Sequence, residues 1–275
     1  MFSQSFFTNS TINRHKLLRP YPTVNTALNM ERSNTGSVRT NGLEVTFNRR
    51  FSKGFSTNVA YTGTNGWAAD WFPNEFDERP AWRLSNASRP HRLTATGIYQ
   101  FPFGRRRAFF KQGVMSKLLG GMQLSGTFEY QAGQLIDWGN RYYYGDLAAI
   151  KKDNPTLDEW FNASGTACSQ TPGPNTGWER CSQRGPASYQ TRIFPSRIDG
   201  LRRDRTLQTN ANVQREFPLH KERVKMILRF DMLNVFNRYQ FDTPNTDPMN
   251  TNFGRVQQQT AALNRFLQFQ ARIQY

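Results

Sequence analysis

The chain has 275 residues, with 36 Lys and Arg against 20 Asp and Glu, a formal net charge of +16 and a mean hydropathy of −0.73. No run of about 18 apolar residues occurs, which excludes a helical membrane protein but not a barrel whose alternate residues face a polar lumen. The basic surplus by itself points to nucleic acid or an anionic membrane surface, whereas 22 Phe and 10 Tyr in so hydrophilic a chain suit a lipid-facing wall better than a soluble core.

In chain order, residues 1–10 (MFSQSFFTNS) lack the basic stretch and apolar run of a signal peptide. A first strand near residues 16–24 is interrupted by Pro20 and Pro22, which cannot donate to a ladder. Two-residue alternation then dominates, as expected where one strand face differs from the other. Leu43, Val45 and Phe47 oppose Glu44, Thr46 and Asn48; Phe55, Val59 and Tyr61 oppose Ser56, Asn58 and Thr62. Leu93, Ala95, Tyr99 and Phe101 oppose Arg92, Thr94, Thr96 and Gln100. Met122, Leu124, Gly126, Phe128 and Tyr130 oppose Gln123, Ser125, Thr127, Glu129 and Gln131. Leu207, Ala211, Val213 and Phe217 form the apolar side of the next strand, and Val224, Met226, Leu228, Phe230 and Met232 that of its successor. The last segment, RFLQFQARIQY, alternates without a break from Leu267 to Tyr275.

These segments run about 9 to 14 residues, longer than soluble strands of about 5 or 6 and matched to a tilted membrane crossing of about 9 to 11. The connections test this independently, because barrels of this kind alternate short periplasmic turns with long extracellular loops. Counting back from a periplasmic C-terminus, residues 237–264, 135–205, 64–90 and 25–40 fall outside and are long. Residues 218–223 and 50–54 fall inside and are short; residues 102–121, also inside, are of middling length. The expected fold is all-β: about eight antiparallel transmembrane barrel strands with long extracellular loops.

No catalytic constellation stands out, so neither an enzymatic activity nor a cofactor is expected. His15, His91 and His220 are far apart and fit no metal-ligand spacing. Cys168 and Cys181 share a Gly/Pro/Asn-rich segment and would close a short loop in an oxidising compartment; two unpaired thiols are the alternative. Trp67, Asp70, Trp71, Asp77 and Trp82, with Glu75 and Glu78, gather in one expected extracellular loop. There, aromatic faces and carboxylates would suit a cation or sugar-like ligand, unless the loop is simply solvated. Trp138 and Tyr142, Tyr143 and Tyr144 lie just past a strand end, where an aromatic girdle at the membrane interface is expected, with ligand binding as the alternative. The run Arg105–Arg107 with Lys111 would attract phosphates, but no binding module surrounds it, and Lys and Arg are spread over every segment. Nucleic acid is therefore not an expected partner.

Several phrases together resemble the C-terminal barrel of TonB-dependent outer-membrane receptors, with the Oar-like proteins as the nearest subgroup. They are RPYP (residues 19–22), NGLEVTFNRRFSKGFSTNVAYT (41–62), SRPHRLTATGIYQFPFG (88–104), RFDMLNVFNRYQF (229–241), NFGRV (252–256) and the terminal strand. The resemblance covers nearly the whole chain and is weakest over residues 135–205. It implies that Leu267, Phe269, Ile273 and Tyr275 form the signal read by the barrel-assembly machinery, with Tyr where a terminal Phe is more usual. It implies a barrel of about 22 strands, preceded by a signal peptide, a TonB-contacting box and a plug domain. None of these three is seen here, so residues 1–275 are expected to be the C-terminal piece of a longer receptor. The implied function is uptake of a scarce ligand, such as an iron chelate, vitamin or oligosaccharide, with TonB acting only through the missing plug. The alternatives are a small outer-membrane barrel or adhesin-like surface protein and, third, a soluble basic β-protein that binds nucleic acid.

Overall fold

The structure, a computed structural model, describes residues 34–74, 76–104, 107–139, 141–167, 175–180, 192–220, 224–258 and 264–275, with the single residues Thr8, Thr11, Leu17 and Tyr21. The strand expected near residues 16–24, both cysteines, Glu75, Arg105 and Arg106 lie outside these residues.

Seven long strands form one antiparallel meander: β1 (Ser37–Ser52), β2 (Phe55–Trp71), β4 (Arg92–Gln100), β5 (Gln123–Gln131), β9 (Thr206–His220), β10 (Val224–Leu233) and β11 (Phe266–Gln274). A short strand, β3 (Ala81–Leu84), pairs with the far end of β2. Each long strand pairs with its sequence neighbours in this order, so among the described residues β1 and β11 are the two edges of an open sheet. Every residue of both edge strands is exposed.

Register decides what the sheet can do. Because side chains alternate at a period of two, a slip of one residue in any pairing would swap the faces of that strand. No such mixing occurs. The row Phe55–Tyr99–Leu124–Val213–Phe230–Phe269 runs across six strands, and Val45–Tyr61–Leu93–Tyr130–Leu207 across five. On the other face, Asn48–Asn58–Thr96–Thr127–Asn210 form a polar row. Arg215 is the charged exception on the apolar face. Five residues from the end of β9, it extends its guanidinium over the Phe217 ring at 4.0 Å, a long side chain snorkelling along apolar surface.

The connections alternate between the two ends. At one end, β1 turns into β2 through Lys53 (φ 53°) and Gly54 (φ 83°), two consecutive left-handed residues that match a tight hairpin to the twist of its strands. The β9–β10 connection at the same end is three residues long. The β4–β5 connection is longer and carries a helix, α1 (Gly113–Leu119), too short for its periodicity to register in the sequence. At the other end lie the long connections, residues 72–91, 132–205 and 234–265. They contain a second, small sheet of β6 (Tyr143–Tyr144), β7 (Gly165–Ala167) and β8 (Gly177–Arg180). β2 runs eight residues into the connection expected over residues 64–90, because pairing with β1 and β3 extends it where small residues blur the alternation.

The main buried core is not in the sheet at all. Ile136, Trp138, Ile150, Phe161, Trp178, Phe194, Leu201 and Phe253 form one buried cluster, and every one of them comes from a long connection. This corrects the girdle expectation for Trp138: it is 2% exposed, stacked on Trp178 with centroids 5.5 Å apart, while Tyr143 packs against the same cluster. A strand end followed by aromatics reads the same in sequence whether those rings face lipid or one another, so only the packing could decide.

Candidate functional site

Two surfaces are built well enough to carry function: the platform formed by the long connections, and the polar face of the sheet beneath it. The platform is fastened by arginines that bridge one connection to the next. Arg83 on β3 donates from Nε to Asp70 Oδ1 at 2.7 Å and from Nη1 to Ser196 Oγ at 3.1 Å, and its guanidinium lies over Trp71 at 5.3 Å. Arg197 donates to Asp137 Oδ2 at 2.8 Å and to the Leu84 carbonyl at 3.0 Å. Arg202 reaches the carbonyls of Ser88 (3.0 Å) and Gly133 (3.2 Å). Arg238 pairs with Asp204 at 3.0 Å, tying the 234–265 connection to the 132–205 one. Planar guanidinium forks suit this task, since each can serve two or more acceptors in fixed geometry.

The five residues expected to form a ligand loop are brought near one another by the β2–β3 ladder, but not as one open site. Asp70 is taken up by Arg83, whose hydrogen bond holds its carboxyl below the usual carboxylate range. Asp77 accepts from the Asn74 backbone N–H at 2.7 Å. Asn74 in turn exchanges two hydrogen bonds with the Arg192 backbone, at 3.1 and 2.8 Å. Both carboxylates therefore have structural partners. Trp71 lies under Arg83, whereas Trp67 and Trp82 are 44% and 54% exposed. The register pairs Ala69 with Trp82 and Trp67 with Leu84, so the two tryptophans are diagonal neighbours on one face. That face also carries Val59 and Tyr61, because the β1–β2 register runs unshifted from Thr57 to Ala69.

The polar face forms an open concavity of about 510 Å³ lined by Asn48, Asn58, Thr127, Asn210, Arg229 and Asp231, among others. Arg229 and Asp231 are paired at 2.7 Å, and Ser125 Oγ donates to Asn212 Oδ1 at 2.7 Å. The lining is rich in neutral hydrogen-bonding groups and nearly balanced in charge. Such a surface favours water and polar solutes rather than a nucleophile or an acid–base pair. Among the described residues, no three His, Cys, Asp or Glu side chains come together as a metal site. His91 Nδ1 instead shares a 2.8 Å hydrogen bond with the Tyr61 hydroxyl.

A sheet apolar on one face, polar on the other, crossed by strands of 9 to 17 residues and bearing long connections at one end has the make-up of a barrel wall. A family model described as an outer membrane beta barrel domain matches residues 4–268. The chain belongs to that outer-membrane β-barrel family. Neither the curated proteins nor the solved structures gave a significant match. As an outer-membrane barrel protein it resides in the cell outer membrane, with its apolar face toward lipid and its polar face toward a lumen. Leu267, Phe269 and Ile273 of the terminal strand are 55–67% exposed on the lipid side, in register with Met232, Phe230 and Met226, and Tyr275 is fully exposed beyond them. The loop core is the structural element that sequence reading missed. Its residues are scattered over more than 100 positions, and the one local sign was that Trp138, Trp160 and Trp178, three of the six Trp of the chain, fall in one segment with no strand alternation.

Proposed function

We propose that the chain is the C-terminal barrel portion of a TonB-dependent outer-membrane transporter of the Oar-like subgroup, its long connections facing the cell exterior and its short turns the periplasm. The observation that carries this reading is that, among the described residues, the sheet is open with two exposed edges. Unpaired backbone N–H and C=O groups cost several kcal/mol each in hydrocarbon, so β1 and β11 have strand partners in the membrane. Further strands of a wide barrel supply them without forcing the loop platform and polar groove into a closed eight-strand tube whose interior only side chains would fill. The sequence resemblance supports the same assignment. The transported solute would meet the platform first and then the polar wall; the reading gives the chain no catalytic step and no cofactor.

The experiment is a blot of outer-membrane fractions with an antibody to the terminal strand. A band far above the 31.8 kDa of this chain is the expected result. A heat-modifiable band at that mass would refute the transporter assignment and favour a small barrel or adhesin-like surface protein. The folded platform supports this second reading, since a rigid external surface suits adhesion as well as capture. Release of the chain from membranes by high salt would sink both readings and leave the soluble nucleic-acid-binding protein, because screening loosens surface charge attraction but not an integral barrel.

A further inference from the structure

The β4–β5 connection is more elaborate than a turn requires. Residues 102–122 contain five basic side chains, Arg105, Arg106, Arg107, Lys111 and Lys117, and no Asp or Glu. The same segment holds Phe109, Phe110, Val114, Met115 and Leu118 46–70% exposed to their surroundings. Val114, Met115 and Leu118 form one stripe of α1, since positions i, i+1 and i+4 share a helix face. The segment is not loosely built. Phe109 N–H donates to the Pro102 carbonyl and Gly104 N–H to the Phe109 carbonyl, both at 3.0 Å. Gly104 (φ 111°) lies so near Gly120 that an added Cβ would stand 2.8 Å from its Cα.

This apolar surface continues the lipid-facing wall. Tyr99 belongs to the apolar face of β4, and its ring centroid lies 5.2 Å from Phe101; Phe101 stacks on Phe103 at 5.2 Å, and Phe103 meets Phe110 at 5.3 Å. A chain of rings thus leads from the membrane wall to the exposed helix. We infer that residues 107–122, joined to the wall through Phe101 and Phe103, form an interfacial foot in the headgroup layer of the periplasmic leaflet. The apolar stripe lies at the acyl boundary, and Lys111 and Lys117 hold the phosphates of acidic phospholipids, while Arg107 is turned to Gln100 Oε1 at 3.2 Å. The inference rests on the orientation adopted under the proposed function, which puts the short-turn end in the periplasm.

The test uses the protein purified from outer membranes with Cys168→Ser, Cys181→Ser and Val114→Cys, the new thiol carrying an environment-sensitive dye. It is reconstituted in phosphatidylcholine vesicles doped with nitroxide-labelled phosphatidylglycerol or, separately, nitroxide-labelled phosphatidylcholine. Quenching by both lipids is expected, with a preference for phosphatidylglycerol of about fivefold, the value for one basic residue at a charged surface. In Lys111→Ala/Lys117→Ala the preference should fall toward one. A dye quenched by aqueous iodide but by neither lipid would overturn the foot and indicate a soluble or protein partner; lipid quenching without preference would overturn its acidic-lipid recognition. Orientation is read separately with the unlabelled thiol. Its reaction with a membrane-impermeant maleimide in intact cells would refute the periplasmic placement while leaving the vesicle result to stand alone.

Discussion

Trp178→Ala tests whether the long connections are a folded platform in their own right. Trp178 is fully buried, with the rings of Tyr143, Phe194, Phe253 and Trp138 at centroid distances of 5.0, 5.2, 5.4 and 5.5 Å. Its indole N–H donates to the Asn162 carbonyl at 2.9 Å. Burying about 200 Å² of aromatic surface at about 25 cal/mol per Å² is worth about 5 kcal/mol. Measured Trp→Ala losses in cores run about 3–5 kcal/mol, so a loss of about 4 kcal/mol is a fair expectation. A unit the size of the three connections, 126 residues together, has a total stability of about 6–19 kcal/mol, so this one substitution removes a large share of it. The barrel strands, held by their own ladders and by lipid, should stay. Limited trypsinolysis of the membrane-embedded protein would read the difference, because Arg192, Arg197, Arg202 and Arg203 all lie in the platform. Where cleavage follows the open population, about 4 kcal/mol raises its rate about a thousandfold. The exciton signal of the stacked Trp138–Trp178 pair in circular dichroism should vanish, while heat-modifiable gel mobility persists. An increase in cleavage below about tenfold, with Trp82→Ala as the exposed control, would refute the idea of a cooperative loop core.

Val59 and Asn58 are adjacent but face opposite sides, so Val59→Arg should cost about 2–4 kcal/mol in folding yield into bilayers whereas Asn58→Arg should cost little; equal effects would reject the assignment of faces. Gly54→Val forces a branched side chain into φ 83°, with its Cβ 3.0 Å from the Gln100 carbonyl oxygen. It should lose about 1–2 kcal/mol in urea unfolding from detergent, relative to a change at exposed Lys117. The Arg83 hydrogen bond lowers the Asp70 pKa in the folded state, so its contribution is present at neutral pH and lost as pH falls below the ordinary carboxylate range through the folded value. Acid should therefore loosen the β2–β3 hairpin in the native chain, followed by hydrogen exchange, and Asp70→Asn should flatten that pH dependence. Trp67 and Trp82 sit about 12 residues beyond the Lys53–Gly54 turn on the lipid side, which at a tilt of about 40° places them about 30 Å away, near the outer interface. Brominated lipids should then quench them, and quenching by a soluble sugar analogue but not by lipid would favour the ligand-loop reading instead.

The sequence alone determined the strands of the wall and which residues of each share a face. The reason is local: with a period of two, a strand between lipid and water must write its environment into every second residue, as residues 267–275 do without a break. The alternation of connections and a minimum strand length were legible for the same reason, since antiparallel pairing fixes the one and hydrocarbon thickness the other, but β1, β2 and β9 run on to 16, 17 and 15 residues through pairing that only the structure shows. Register between strands was not written locally, and only the tertiary structure showed Phe55, Tyr99, Leu124, Val213, Phe230 and Phe269 falling into a single row. The loop core was invisible for a deeper reason. Trp138, Trp178 and Phe253 lie far apart in the chain and follow no period, so neither their burial nor the commitment of Asp70 and Asp77 to structural bonds exists until the long connections close on one another.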